Sequence, residues 1–142
     1  MNTNKFIIGG IIGGAVYFLL GYLVFGLLLK DFMASNMGTA TGVMKADMDF
    51  VWWALIVGNL FSGLAFSYIL SKAGVSSAGA GAGIGFVAAL LICAGFDFTW
   101  LGVSNIFTLK GILADIAASA VMGAIVGGII GWYFGMGKKA AA

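Results

Sequence analysis

The chain has 142 residues, of which 62% are hydrophobic and only 8% are charged, and its formal net charge is +2. Its mean hydropathy is +1.12. A soluble domain of this length would carry charge on every helix, because each helix keeps one face in water. The composition therefore excludes an ordinary soluble domain and predicts a single integral membrane domain over residues 1–142.

The chain has no histidine and one cysteine, Cys93. It therefore lacks the commonest metal ligand and the usual general base, and it has no pair of cysteines for an intramolecular disulfide. We predict a protein that is not an enzyme and that uses no cofactor, no metal and no nucleic acid. Cys93 is expected to pack as a small hydrophobe.

Four long segments without Asp, Glu, Lys or Arg set the predicted architecture. Their approximate bounds are 6–29, 50–70, 73–96 and 116–136. Each segment exceeds the roughly 20 residues that a helix needs to cross the hydrocarbon core of a bilayer. The sequence therefore predicts an all-α, four-transmembrane-helix bundle. No A-x-A-like cleavage site follows the first segment, so we expect an uncleaved first helix.

The connections between the segments differ in length. The first is the longest, at residues 30–49, and its glycines and threonines near residues 38–42 argue against one continuous helix. The second is a tight turn around residues 71–74, which predicts that the second and third helices are antiparallel neighbours.

Few polar side chains lie in or near the apolar segments. Asn59 lies in the second, Asp97 is expected to end the third, and Asp115 to open the fourth. Together with Asn105 and Lys110 they could form a polar rim that binds a cation or begins a proton path, because ionisable groups at membrane depth are costly. The favoured interpretation instead makes Asp115 a cap at a helix N-terminus, paired with Lys110.

The fourth segment carries a small residue at every fourth position: Ser119, Gly123, Gly127, Gly131 and Gly135. In a helix these positions form one stripe without side-chain bulk, so a neighbouring backbone can approach closely. Two interpretations stay open. The stripe can pack inside one bundle, or it can face a second copy of the chain or a partner subunit.

Lysine placement predicts the orientation. Four spans put both termini on one side of the membrane. That side would hold Lys5, Lys72, Lys138 and Lys139, and the opposite side Lys30, Lys45 and Lys110. The excess of lysine predicts cytoplasmic termini, in a bacterial inner membrane.

Three short patterns resemble small uncharacterised bacterial four-helix membrane proteins. The patterns are Gly21-Tyr22 to Gly26, Phe96-Asp97-Phe98-Thr99, and Asn105 to Thr108-Leu109-Lys110. The resemblance spans most of the chain and implies a similar bundle, but it supplies no activity.

Two functions follow as expectations. The first is a non-enzymatic component of the lipid bilayer that packs against itself or a membrane partner through the stripe. The alternative is a small transporter or ion or proton pathway that uses Asp97, Asp115 and Asn59.

Overall fold

The computed structural model describes residues 2–136, and this part of the chain is all-α. Its helices are α1 (Thr3–Gly21), α2 (Lys30–Ser35), α3 (Trp52–Lys72), α4 (Ala78–Val103) and α5 (Leu109–Gly135). A π-helical segment, Tyr22–Leu28, continues α1. Four helices are long and apolar enough to cross a membrane, as predicted: Thr3–Leu28 and the whole of α3, α4 and α5. Lys138 and Lys139 lie outside the described residues.

The ends of α4 and α5 differ from the prediction. Helix α4 continues seven residues beyond the expected end at 96, and α5 begins seven residues before the expected start at 116. The predicted ends are wrong because polar caps, and not the nearest charge, set them. At the C-terminal end of α4, Ser104 has an extended backbone and its hydroxyl donates to Trp100 O at 2.7 Å, and at the start of α5 Thr108 accepts a hydrogen bond from Gly111 N.

The tight turn between α3 and α4 is built around Gly74. This glycine has a φ of 70°, a left-handed conformation that side chains rarely adopt. Val75 N donates to Leu70 O at 3.1 Å and Gly74 N to Ser71 O at 3.2 Å. These are the two bonds of a Schellman motif, which satisfies the last carbonyls of α3 and ends the helix at Lys72.

The helices pack as two pairs. Helix α1 packs along α3 and α4 packs along α5, and α5 joins the pairs by contacting α1 and α3. Helix α4 contacts α3 only weakly, so the prediction that these two helices are packed neighbours is wrong. The turn makes them antiparallel, but the glycine face of α4 packs against α5. The core where the pairs meet includes Phe66, Leu70, Val126 and Ile130, all buried.

Candidate functional site

Helices α4 and α5 meet along an antiparallel seam in which a small or polar residue recurs every four positions on both sides. On α4 the seam residues are Gly81, Gly85, Ala89, Cys93 and Asp97. Facing them on α5, in the same order, are Gly131, Gly127, Gly123, Ser119 and Asp115. Because the spacing is equal on both helices, one antiparallel register brings all five positions together.

The backbones are close along the glycine part of this seam. A Cβ built on Gly127 would lie 2.9 Å from the Cα of Gly85, and one built on Gly131 would lie 3.0 Å from the Cα of Gly81. A Cβ on Gly123 would collide with the side chain of Ala89. The stripe on α5 therefore lies against α4 of the same chain. The interpretation in which it faces a second copy or a partner subunit is wrong for this surface, because α4 already covers it.

A thiol and two carboxylates occupy the other end of the seam. The sulfur of Cys93 and one carboxylate oxygen each from Asp97 and Asp115 all lie within 4.8 Å of one another. The Cys93 thiol donates to Asp97 Oδ2 at 3.3 Å, and the Ser119 hydroxyl donates to Asp115 Oδ1 at 3.4 Å. We call these four residues the seam cluster.

The two carboxylates lie inside the helices and not at their ends. Asp97 comes six residues before the end of α4 and Asp115 six residues after the start of α5. At the helical rise each lies about 9 Å from its helix end. Asp97 is only 4% exposed and Asp115 is partly buried. The two carboxylates therefore lie at the same distance inside their helices, where a charge costs more free energy than at a rim in contact with water.

The cap and ion pair predicted for Asp115 are wrong. Thr108 holds the N-cap position of α5, seven residues before Asp115. Lys110 is exposed, and the ion pair found within residues 2–136 joins Lys30 to Asp47 instead. Five residues of helix turn a side chain about 140° around the axis, so Lys110 and Asp115 leave α5 in nearly opposite directions.

The other predicted members of the polar rim lie elsewhere. Asn59 is on α3, where its side-chain amide donates to Leu55 O in its own helix at 2.8 Å. Asn105 lies in the link between α4 and α5, where its carbonyl accepts from Ala40 N at 3.0 Å. The structure thus brings Asp97 and Asp115 together and leaves Asn59, Asn105 and Lys110 outside the cluster.

Two short extended segments cover the end of the seam nearest the cluster. Residues 36–40 run antiparallel to residues 105–108, and we call the pair the strap. The bonds that hold it, donor first, are Gly38 N to Ile106 O (2.8 Å), Ala40 N to Asn105 O (3.0 Å) and Thr108 N to Asn36 O (3.1 Å). The strap therefore ties the long first loop to the link between α4 and α5.

A salt bridge holds the loop that follows the strap. Lys30, at the start of α2, donates to Asp47 Oδ2 at 2.5 Å, and both side chains are well exposed. The hydrogen bond and then the charge of Asp47 raise the pKa of Lys30. The lysine in this pair therefore stays charged throughout the neutral range, and it loses the pairing only as the pH rises through its raised pKa.

The side chains of the seam cluster are of the kind that bind a small cation. Hard cations such as Ca²⁺ take six or more oxygen ligands, and a structural zinc site takes four protein ligands. The cluster supplies a thiol, two carboxylates and a hydroxyl, which would leave a hard cation under-coordinated. The Cys93 thiolate and the two carboxylates could serve as three zinc ligands, whereas a proton needs only the two adjacent carboxyl groups.

Sequence reasoning missed Cys93 and Ser119 as members of the site. Cys93 was expected to pack as a hydrophobe, and Ser119 only to continue the stripe. The signal that finds them is the shared four-residue spacing on the third and fourth apolar segments. Aligned antiparallel, the two series place Cys93 beside Ser119 and Asp97 beside Asp115.

Comparisons of the chain with family models, with curated proteins and with solved structures give no match. The seam cluster and the strap are therefore interpreted from their own geometry.

Proposed function

We propose that this chain is a small integral membrane protein that binds a proton between Asp97 and Asp115 and moves it as part of an ion-coupled transport cycle. The observation that carries the proposal is the approach of two carboxylates on facing helices to within 4.8 Å, Asp97 buried and Asp115 partly buried, without a cationic side chain paired to either within residues 2–136. Four helices are long and apolar enough to cross a membrane, and both aspartates lie inside two of them, which supports a position at membrane depth.

Electrostatics supports a shared proton. Two unit negative charges about 4 Å apart repel by about 4 kcal/mol at an effective dielectric constant of 20. Burial adds a further penalty for each charge, since Asp97 is almost wholly removed from solvent. One proton between the carboxyl groups removes the repulsion and turns it into a hydrogen bond. The thiol and the Ser119 hydroxyl then donate to the remaining oxygens.

The closed seam supports a cycle and not an open pore. From the cluster toward the far ends of α4 and α5, the backbones touch at Gly123, Gly127 and Gly131 with no room for even a methyl group. Close helix packing of this kind excludes a file of water molecules. A proton held at the cluster therefore reaches the other side only if α4 and α5 move apart, which is the behaviour of an alternating-access protein.

Proton transfer in reconstituted vesicles tests the proposal. A pH-sensitive dye inside the vesicles should report proton uptake driven by a membrane potential for the wild type. Asp97→Asn and Asp115→Asn should each abolish it while keeping helix content, because an amide keeps the shape of the side chain but cannot release a proton. Asn59→Leu is the matched control and should keep the wild-type rate, since Asn59 lies outside the cluster.

A spectroscopic measurement checks the shared proton directly. The infrared spectrum of the wild type should contain the carbonyl band of a protonated carboxylic acid, and each Asn variant should lose it. Absence of uptake by the wild type, or wild-type uptake by both Asn variants, would contradict the transport cycle. Absence of the carboxylic acid band would contradict the shared proton itself.

A membrane component that assembles with a second copy is the second candidate, favoured by the uncovered side of α4. A Cβ built on Gly79 or Gly83 meets no atom within 4 Å, so this side of the helix stays open. Small residues permit a second helix to approach closely there. Native mass analysis in mild detergent should then find a dimer that Gly83→Leu disperses, and a wild-type monomer would end this candidate.

A further inference from the structure

The strap packs on the first turn of α5, between the α4–α5 link and the seam cluster. A Cβ built on Gly111 would lie 2.9 Å from Asn36 O, so the strap rests on the first turn of α5. Gly111 precedes Asp115 by four residues and shares its face of the helix. The strap therefore covers that face four residues, or about 6 Å, from Asp115.

One side chain couples the strap to the helix that carries Asp115. The Thr108 hydroxyl donates to Asn36 O at 2.8 Å and also accepts from Gly111 N at 3.2 Å as the N-cap of α5. Separation of the strap removes one of the hydroxyl's two partners and uncovers the first turn of α5. Movement of the loop and movement of the helix end are thereby linked through Thr108.

The two ends of the seam differ in how they are closed. At the glycine end the helix backbones themselves touch, so that opening requires whole helices to separate. At the other end closure depends on hydrogen bonds between partly exposed extended segments that contain no fully buried residue. Segments with few buried apolar contacts and exposed hydrogen bonds open first. The strap is the weaker closure.

We propose that the strap is a gate: its separation admits water to the seam cluster from this side, and its pairing closes the site. The proposal rests on the proposed function only for the identity of the ion that enters. Whether water reaches the seam cluster when the strap separates can be measured without any transport.

Cys93 is a natural reporter of this access, because it is the only cysteine in the chain and belongs to the cluster. A small charged thiosulfonate reagent added to vesicles reaches Cys93 through water and not through lipid. Its rate of reaction with Cys93, read by mass spectrometry of the peptide that contains Cys93, therefore measures how often the gate is open.

A variant that prevents pairing should open the gate. A Cβ on Gly38 would lie 2.8 Å from the carbonyl carbon of Asn105, so Gly38→Val pushes the two segments apart. Loss of the pairing hydrogen bonds should raise the rate of Cys93 modification roughly tenfold. Thr39→Val is the matched control. It introduces the same side chain at the adjacent, exposed position and should leave the rate unchanged.

A crosslink should have the opposite effect. Met37 and Phe107 face each other across the strap, between the bonds made by their neighbours, and form a non-hydrogen-bonded antiparallel pair. Such pairs have Cα atoms about 4.5 Å apart, within the range that a disulfide spans. In the double variant Met37→Cys, Phe107→Cys, oxidation should suppress modification of Cys93 and proton uptake, and reduction should restore both.

The outcomes separate the gate from the transport cycle. A crosslink that suppresses Cys93 modification in a protein without proton uptake supports the gate and contradicts the proposed function. Unchanged modification after complete crosslinking contradicts the gate, whatever the proton uptake. If Gly38→Val does not fold, the crosslinked protein still decides the question, because its oxidised and reduced forms are the same chain.

Discussion

At the scale of single residues, the site follows from the size of the side chains around it. Glycine at three successive seam positions of α5 allows the backbone of α4 to approach within van der Waals contact. Where the series changes to Ser119 and Asp115, the helices are already held close. The carboxylates of Asp97 and Asp115 are consequently brought together by the packing of glycines about two to four turns away.

The glycines of α5 can be tested in adjacent pairs. Gly127→Ala should destabilise the protein by roughly 1–3 kcal/mol, because its methyl group would lie 2.9 Å from the Gly85 Cα and force the helices apart. Gly128→Ala is the control, since its methyl group would meet Ala78 and Ala82 at an ordinary 3.5 Å. Thermal unfolding in detergent measures both. Equal midpoints for the two variants would mean that the seam relaxes at little cost.

At the scale of helices, capping residues set the ends, and a helix continues past a charged residue whose side chain is buried against a neighbouring helix. Asp97 and Asp115 do not interrupt α4 and α5, because each carboxylate faces its partner across the seam. The π-helical segment at the end of α1 leads into the strap-bearing loop, a position where such segments often mark function. The N-terminal end of α1 contacts the C-terminal end of α5 through Lys5.

Lys5 should stabilise the C-terminal end of α5. Its ammonium group donates to Phe134 O at 3.3 Å and to Met136 O at 3.0 Å, where carbonyls lack helical partners. Lys5→Met should lower the stability by about 1 kcal/mol, as expected for a cation at a helix C-terminus. The measured quantities are the unfolding midpoint and hydrogen exchange at Phe134 to Met136. Lys45→Met is the control, because Lys45 is exposed and makes no ion pair within residues 2–136.

At the scale of the whole molecule, the strap and the Lys72 turn lie at opposite ends of α4, which would put them on opposite sides of a membrane that α4 spans. The lysine bias predicts that the strap side faces out and that the termini are cytoplasmic. If so, the gate opens toward the outer side and the glycine end of the seam closes the inner side.

Cysteine labelling in whole cells determines this orientation. In a Cys93→Ala background, Lys45→Cys should react with an impermeant maleimide in intact cells. Lys72→Cys should react only after the membrane is opened. Reaction of Lys72→Cys in intact cells, with Lys45→Cys protected, would reverse the orientation and with it the direction in which the gate opens.

The sequence alone determined the all-α class and the number of long apolar helices. Each uncharged run exceeds the roughly 20 residues of a spanning helix, and a helix satisfies its own backbone hydrogen bonds. It also placed the turn at Gly74 and identified Asp97 and Asp115 as the costly charges. It did not determine the helix ends, because the charges of Asp97 and Asp115 end the uncharged segments of the sequence but not the helices, which end before Ser104 and begin after Thr108.

Only the tertiary structure decided which helix covers the glycine stripe and what the two aspartates face. The spacing of the stripe shows that one helix face carries only small side chains. Such a face can pack against any similar face, and α1, α4 and a second copy of the chain each have one. The structure selects α4 because its small residues repeat at the same interval in the opposite direction. That register carries Cys93 and Asp97 to Ser119 and Asp115. Pairing of Asn36 with Thr108 across 72 residues of chain then closes the seam, a contact that no local pattern encodes.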